Sequence, residues 1–223
     1  MSVASPLRRV APYGSDAVLV ELADGVEPYS VASILAEAGV GDERICGWRS
    51  VLVTGIDPDH ADTIVANTLL AAVDLTSPAT GAPAAAHPPP THQLGVAVPF
   101  VDDGADLEEI AALTSMTVDE VVEVFTTPTY RVVCLGFVRG FTYLEGLDPR
   151  LATLRRRPTP RRSVPAGSIA IGGGQAGIYP TASPGGWHLL GTTDELLFDP
   201  THRPPCRFAP GDLVRFERRP KQR

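Results

Sequence analysis

The sequence has few of the features that mark exported, membrane-bound or nucleic-acid-binding proteins. Across its 223 residues no apolar run approaches the roughly 20 residues that a membrane span needs. Residues Met1 to Arg9 contain no apolar signal core, so we expect a cytoplasmic protein. The formal net charge of −7 argues against a broad basic face that neutralises nucleic-acid phosphates.

Cysteines and aromatic residues are also scarce. The three cysteines, Cys46, Cys134 and Cys206, are odd in number and form no Cys-x-x-Cys pair. We therefore expect reduced, packed thiols rather than a disulfide framework, and the sequence predicts no metal site. Aromatics make up 6% of the chain, whereas 21 glycines and 22 prolines are present, which is typical of many tight turns between short strands.

Residues 1–76 alternate strand and helix signals. Strands are predicted over Val18 to Leu22 and Val51 to Thr54, and a helix is predicted from Pro28 to a stop at Gly39. Asp57-Pro58 begins a second helix with one apolar face. A β-α-β-β-α order of this length predicts a small α/β sandwich.

Residues 77–93 are rich in proline and alanine, and we interpret them as a semi-rigid linker between two domains. Residues 94–223 form the second predicted domain. Two short helices are expected there, at Asp106 to Leu113 and from Thr117, whose spacing to Glu120 predicts a capping box. Short strands separated by glycine and proline then predict a closed or nearly closed β-barrel, at 94–100, 130–135, 168–171, 175–179, 187–190 and 213–216.

Four segments of the second domain carry side chains suited to binding, and each also has a purely structural interpretation. Gly136 to Leu147 predicts a backbone that bends closely around a ligand, or a packed loop plugged by aromatics. Arg161, at a strand entrance, could bind a carboxylate or phosphoryl oxygen, whereas the neighbouring Arg155 to Arg157 run is more typical of a solvated surface.

The other two segments are glycine-rich. Gly172 to Pro180 could offer main-chain N–H groups to an anion, although no Gly-Lys-Ser/Thr follows as in a nucleotide-binding loop, and a turn between strands is the alternative. Ser183 to Trp187 is typical of a turn anchored by its tryptophan. His188 after it is more often structural than catalytic. Spacing alone predicts no reaction.

These segments carry a resemblance to a known family. Five motifs resemble the family of B-type subunits of 5-oxoprolinase. They are G-F-x-x-G-F-x-Y-L-x-G-L-D-P-R-L from Gly136, P-R-x-x-V-P-A-G-S from Pro160, G-G-Q-x-G-I-Y-P from Gly173, S-P-G-G-W from Ser183 and P-G-D-x-V-R-F from Pro210. The same family is labelled allophanate hydrolase subunit 1, carboxyltransferase subdomain, or KipI-like.

The resemblance implies an α+β protein, with a small N-terminal α/β sandwich and a C-terminal cyclophilin-like β-barrel. It implies ATP-driven opening of the 5-oxo-L-proline lactam to L-glutamate, or a related urea or allophanate amidase reaction. ATP would be held by the complex, which would contain a third subunit and a sister cyclophilin-like subunit, similar to the C-type subunits of 5-oxoprolinase or to allophanate hydrolase subunit 2. A KipI-like inhibitor of a sensor histidine kinase is the alternative function.

Motif membership and side-chain chemistry together select the candidate site residues. The candidate catalytic residues are Arg161, Gln175 and His188, the first two as stabilisers of developing oxyanions. The candidate substrate-binding residues are Tyr143, Tyr179, Gly140, Gly173 and Gly174. The chain departs from the family pattern at Phe125, Arg139, Glu145 and Thr192, where a histidine, a proline, a glycine and an arginine are common.

Overall fold

The structure is a computed structural model that describes residues 5–71, 96–100 and 102–219. The chain divides into two compact units, residues 1–89 and 90–223. The predicted linker, residues 77–93, lies outside the described residues. Among the helices of the described ranges, none combines the length and apolar character needed to cross a bilayer.

In the first unit, the described residues 5–71 form a four-stranded antiparallel sheet with two helices. Its elements are β1 (Leu7–Pro12), β2 (Ala17–Leu22), α1 (Pro28–Glu37), β3 (Arg44–Cys46), β4 (Ser50–Thr54) and α2 (Pro58–Ala71), with the strands in the order β1-β2-β4-β3. The predicted strands and helices of this unit are confirmed. Strand β1 was not predicted because Arg8, Arg9 and Pro12 interrupt any apolar alternation, which an edge strand tolerates.

The core of the first unit lies between its sheet and its helices. Alternate residues of β2, Val18, Val20 and Leu22, are buried and pack in one cluster with apolar residues of α1 and α2. Because successive side chains of a strand point to opposite faces, both helices cover the same face of this sheet. The Cys46 thiol is half-buried, and burial raises its pKa to about 11, which keeps it protonated at neutral pH.

The second unit is built on a seven-stranded sheet. The strands of this unit are β5 (Val96–Phe100), β6 (Tyr130–Leu135), β7 (Thr142–Glu145), β8 (Arg161–Val164), β9 (Ser168–Gly172), β10 (Gln175–Ile178), β11 (Ser183–Gly185), β12 (His188–Thr192) and β13 (Leu213–Arg218). The sheet has the order β12-β9-β10-β7-β6-β13-β5, and β8 and β11 form a separate two-stranded ribbon. All pairs in this sheet are antiparallel except β13 with β5.

The described residues of this unit form the helices α3 (Leu107–Thr114), α4 (Val118–Thr126) and α5 (Pro149–Ala152). The predicted capping box at the start of α4 is confirmed, because the Thr117 backbone N–H donates to Glu120 Oε2 at 2.7 Å and the Glu120 N–H donates to Thr117 Oγ1 at 3.2 Å. The inward-facing residues predicted on this helix, Val121, Val122 and Phe125, are buried.

The seven-stranded sheet curls into a half-barrel. The segment that follows β5 forms backbone hydrogen bonds with the edge strand β12. The Gly104 N–H donates to the Leu190 carbonyl and the Asp106 N–H donates to the Leu189 carbonyl, each at 3.2 Å. Phe100 and Gly104 are four positions apart in the chain, so their Cα atoms lie at most about 14 Å apart. The two edges therefore approach each other at this end. The cyclophilin-like description of the barrel stays a prediction.

Both faces of this sheet bear apolar clusters. The larger cluster contains Ile169, Ile171 and Leu190 together with residues of α3 and α4. The smaller cluster, which we call the outer cluster, consists of Phe141, Val164, Ala170, Tyr179, Trp187 and Leu189. Neighbours such as Ile169 and Ala170 fall in different clusters because they point to opposite faces of the strand. The ribbon of β8 and β11 contributes to the outer cluster.

Candidate functional site

A cleft of ≈ 290 Å³ opens beside the outer cluster. It is lined by Phe137, Phe141, Tyr143, Arg156, Arg157, Pro160, Tyr179, Pro184, Gly185, Gly186 and Trp187. Five of these residues are aromatic, two are arginines and none is acidic. Small-molecule sites are mostly apolar concavities of about 300–1,000 Å³ with a few polar groups, so the cleft suits a small ligand.

The aromatic wall depends on a glycine in β10. A Cβ atom at Gly177 would lie 3.0 Å from both Phe141 Cζ and Trp187 Cζ3, so the bare backbone leaves room for the two rings. Phe141 then packs edge-to-face against Tyr143, Tyr179 and Trp187 at centroid distances of 4.8, 5.0 and 5.7 Å. Edge-to-face packing is a favourable arrangement of aromatic rings and gives the cleft a rigid wall.

The loop between β6 and β7 forms the rim of the cleft. The Phe141 ring is buried beneath it, as the predicted aromatic plug, and packs against the Phe137 ring at 5.6 Å. Phe137 itself is 60% exposed and has a φ angle of 61°. A bulky residue in the left-handed region is a conformational outlier, and such outliers concentrate at functional sites.

Two backbone hydrogen bonds and one from a histidine side chain hold the segment that carries Arg156. The Leu154 carbonyl accepts from the Gly173 N–H at 2.9 Å, the Arg157 N–H donates to the Gly186 carbonyl at 2.7 Å, and His188 Nε2 lies 2.9 Å from the Arg155 carbonyl oxygen. The Arg156 guanidinium carbon then stands 5.6 Å from the centre of the Trp187 ring. This is a cation–π arrangement at the mouth of the cleft.

The other two arginines near the cleft converge on one buried carboxylate. Asp106 is 3% exposed; its Oδ1 accepts from Arg161 Nη2 at 2.5 Å and Arg157 Nη1 at 3.2 Å, and its Oδ2 accepts from the Leu189 N–H at 2.7 Å. Arg157 also pairs with Glu109, and that hydrogen bond raises the pKa of the Arg157 guanidinium. Asp106 therefore neutralises charge beside the cleft and ties the ribbon to the start of α3.

Both phenols of the cleft are neutral at neutral pH. Burial raises the pKa of Tyr143 and of Tyr179, and the nearby Arg156 guanidinium offsets only part of each increase. Tyr179 is 2% exposed, yet no described residue forms a hydrogen bond with its hydroxyl. The Tyr179 hydroxyl oxygen is not one of the fully buried polar atoms that lack a partner, so it is accessible and is suited to bind a polar ligand atom in the cleft.

The close approach of β11 to Tyr179 gives a testable prediction. A Cβ at Gly185 would lie 2.9 Å from Tyr179 Cζ, 3.1 Å from Cε1 and closer still to the hydroxyl oxygen. Because the ring is locked against Phe141, we expect Gly185→Ala to lower the free energy of unfolding by about 1–3 kcal/mol in urea denaturation.

Two variants serve as controls for this prediction. At Gly186 a Cβ meets nothing closer than 3.4 Å, so Gly186→Ala is expected to cost far less. Combining Gly185→Ala with Tyr179→Phe removes the closest atom and is expected to recover part of the loss. Strictly additive effects of the two substitutions would contradict this account of the contact.

The structure brings two of the predicted site residues together in the cleft, Tyr143 and Tyr179. Arg161, Gln175 and His188 do not line it. Arg161 is engaged by Asp106, Gln175 begins β10 opposite Gly172, and no described residue bonds to the Gln175 side chain. The catalytic roles given to these three residues stay predictions.

His188 is buried beneath the arginine segment. Because a carbonyl oxygen only accepts, the imidazole donates its Nε2–H to Arg155. Its Nδ1 is buried, and no described residue bonds to it. This geometry holds the arginine segment in place, and it leaves His188 outside the cleft lining.

The predicted binding glycines serve as turn and packing residues in this structure. Gly173 and Gly174, with φ angles of 64° and 81°, are the central residues of the two-residue turn between β9 and β10, which requires positive φ at both positions. The Gly173 N–H is already engaged by Leu154. At Gly140 a Cβ would lie 2.8 Å from Phe198 Cβ, so this glycine allows a close approach.

The positions that depart from the family pattern lie away from the cleft lining. Phe125 is fully buried among Phe100, Tyr130 and Phe216, where a ring fills the main core. Arg139 is exposed, the Glu145 carboxylate faces Arg131 across the β6–β7 pair at 3.6 Å, and Thr192 Oγ1 donates to Asp103 at 2.9 Å.

Sequence reasoning missed Asp106 and Arg156 as site residues. The sequence predicted Asp106 only as the start of a helix. No local signal indicates that it pairs with arginines more than 50 positions away. Arg156 lies in a run of three arginines, which is typical of a solvated surface. Among the described residues, no group of three or more histidines, cysteines and acidic residues is placed to hold a metal ion.

Comparison with known proteins identifies the family. A family model described as "Carboxyltransferase domain, subdomain C and D" matches residues 8–208. The chain belongs to this family. The resemblance drawn from the motifs is confirmed, because the B-type subunit of 5-oxoprolinase from Bacillus subtilis is 44% identical over 115 residues and that from Escherichia coli O157:H7 is 47% identical over 124 residues.

These matches are partial. They cover 52% of this chain and 48% of the Bacillus subtilis relative, and 54% and 56% for the Escherichia coli relative, so the matched region spans about half of each relative. The crystal structure of TTHA0988 superposes with a TM-score of 0.72 at 30% identity, covering 93% of this chain and 40% of that one. The mixed α/β fold of this carboxyltransferase family member is thereby established.

Proposed function

We propose that the chain is a subunit of an ATP-dependent amide hydrolase that opens the lactam ring of 5-oxo-L-proline to L-glutamate. The cleft carries this proposal, because an aromatic wall, neutral phenols and arginines at its mouth suit a small ring that bears an amide and a carboxylate. Similarity to proteins named as 5-oxoprolinase subunits supports the choice of substrate.

The chemistry explains why such an enzyme uses ATP. A lactam carbonyl is a poor electrophile, and hydrolysis of this ring is unfavourable without an energy source. Transfer of the γ-phosphoryl group to the amide oxygen activates the ring carbon for attack by water; loss of phosphate and cleavage of the C–N bond then give glutamate, ADP and phosphate. Hydrogen-bond donors aimed at the developing oxyanion would lower this barrier.

The proposal assigns part of the site to partner subunits. A cleft of ≈ 290 Å³ suits a molecule of the size of 5-oxoproline, and a nucleoside triphosphate is several times larger than that molecule. We therefore assign ATP to the assembled complex, with a sister cyclophilin-like subunit that completes the site and a third subunit. Arg161, Gln175 and His188 keep their predicted catalytic roles only within such an assembly.

Reconstitution tests this proposal. We expect the chain, purified together with its sister and third subunits, to hydrolyse ATP only when 5-oxo-L-proline is present and to form glutamate in equal amount. Omitting this chain is expected to abolish both products. The measurements are coupled-enzyme assays of ADP and of glutamate, with urea and allophanate as alternative substrates.

Several outcomes would contradict the proposal. Turnover of urea or allophanate in place of 5-oxo-L-proline would assign a different amide. If all subunits are present and no ATP is hydrolysed with any of the three compounds, the enzymatic function is wrong. Suppression of sensor histidine kinase autophosphorylation by this chain alone would then favour the KipI-like alternative.

A further inference from the structure

The cleft is positively charged in a protein of net negative charge. The chain carries a formal charge of −7, yet the residues that line the cleft include Arg156 and Arg157 and no carboxylate. Arg157 is already paired with Asp106 and Glu109, outside the lining. Its charge is therefore largely satisfied within the protein, and the two arginines are not equivalent as ligand groups.

Arg156 is the arginine of the cleft that is free to bind an anion. None of the residues that the structure describes forms an ion pair or a hydrogen bond with its guanidinium group, whose one recorded contact is the Trp187 ring. A cation–π contact with the Trp187 ring uses none of the guanidinium N–H groups as a hydrogen-bond donor to a side chain, so these groups remain available to a ligand. The hydrogen bonds on both sides of Arg156 hold the backbone from which its side chain extends.

A second, independent feature of the cleft also points to a ligand. Tyr179 is 2% exposed and lines the cleft, and its hydroxyl has no hydrogen-bond partner among the described residues. The Tyr143 hydroxyl likewise has no described partner. Neutral phenols both donate and accept, so they complement an amide or lactam group rather than a second charge.

From these observations we infer that Arg156 is the carboxylate anchor of the cleft, and that Tyr143 and Tyr179 face the amide edge of a flat ring held against Trp187. The substrate class is a small cyclic amide bearing one carboxylate. This inference deepens the proposed function and rests on it for the identity of 5-oxo-L-proline, whereas the ligand class follows from the cleft alone.

Titration calorimetry on the full chain and on the assembled complex tests the inference. The probes are 5-oxo-L-proline, 2-pyrrolidone (the same lactam without a carboxylate), pyridine-2-carboxylate and inorganic phosphate. We expect Arg156→Gln to weaken binding of both carboxylates by about 10- to 100-fold, because a charge-assisted hydrogen bond is lost. The weak affinity for 2-pyrrolidone is expected to stay unchanged.

Arg162→Gln is the matched control, since Arg162 is an exposed arginine of β8 that does not line the cleft. It is expected to bind every probe as the wild type does. Tyr179→Phe is expected to weaken the binding of 5-oxo-L-proline and of 2-pyrrolidone by similar factors. Arg156→Gln, in contrast, is expected to weaken only the binding of the carboxylates. Circular dichroism melting of each variant verifies that it remains folded.

The outcomes separate this inference from the proposed function. Four results would overturn the inference. Arg156→Gln and Arg162→Gln could weaken carboxylate binding equally, or Arg156→Gln could weaken 2-pyrrolidone binding as much as carboxylate binding. Phosphate could bind as tightly as the carboxylates, or no probe could bind to the chain or to the complex. Arg156-dependent binding of carboxylates without ATP turnover by the complex would support the anchor and overturn the proposed function.

Discussion

Replacing Asp106 by alanine is expected to lower the free energy of unfolding of the second unit by about 3 kcal/mol. The substitution removes the partner of Arg157 and of Arg161, whose side chains are each 26% exposed, and leaves the buried Leu189 N–H without an acceptor. Removing one partner of a buried ion pair typically costs about 3–5 kcal/mol, and the partial exposure of both arginines places this case at the low end.

Glu109 provides the matched comparison for Asp106. It pairs with the same Arg157, but its side chain is 46% exposed, so Glu109→Gln is expected to cost less than about 1 kcal/mol. Asp106→Asn should fall between the two, because its amide oxygen still accepts the Leu189 N–H while the charge is lost.

Tryptophan fluorescence can report the unfolding of this unit alone. The chain has two tryptophans, Trp48 in the first unit and Trp187 in the second, so urea denaturation in a Trp48→Phe background follows Trp187. Equal midpoints for Asp106→Ala and Glu109→Gln would show that the buried carboxylate does not hold the ribbon to the start of α3.

Trp187→Ala is expected to destabilise the second unit by about 3–5 kcal/mol and to abolish binding in the cleft. The ring is 5% exposed, packs against Phe141 and Tyr143 at 5.7 and 5.9 Å, and carries Arg156 on its face. Truncating a buried aromatic costs this much because the cavity that it leaves collapses only in part.

Two further variants separate the structural role of Trp187 from its role in binding. Trp187→Phe keeps an aromatic core contact and is expected to recover most of the stability, while it weakens carboxylate binding several-fold, because phenylalanine is a poorer cation–π partner for Arg156. Trp48→Ala, at a half-buried position of the first unit, should leave binding unchanged. Thermal melting by circular dichroism and calorimetry measure both effects, and full binding by Trp187→Phe would argue against the stacked arginine.

Local signals predicted much of the secondary structure. The strand over Tyr130 to Leu135 and the capping box of α4 were correct because a short β-branched and apolar run and the Thr117-x-x-Glu120 spacing act through neighbouring residues. Strand β7 and the ribbon of β8 and β11 were not predicted. Their sequences, such as Ser183-Pro-Gly, have little strand propensity and depend on cross-strand partners for their conformation.

The site was predicted less completely, and for a related reason. Tyr143 and Tyr179 were selected through their motifs and do line the cleft. Arg161 was selected as a free cation, but its pairing with Asp106 spans 55 positions and leaves no trace in local spacing. Arg156 was interpreted as a surface residue, because a run of three arginines is typical of a solvated surface. Tertiary packing instead places its guanidinium group over the Trp187 ring.

The sequence alone determined the family, the strands with apolar or β-branched runs and the glycines at tight turns, because each of these depends on the order of nearby residues and on allowed backbone angles. Only the tertiary structure decided which arginine pairs with a buried carboxylate and which has no acidic partner within the described ranges of the chain. That choice depends on which carboxylate comes within hydrogen-bond distance once the sheet has curled, and Asp106 reaches Arg161 rather than Arg156.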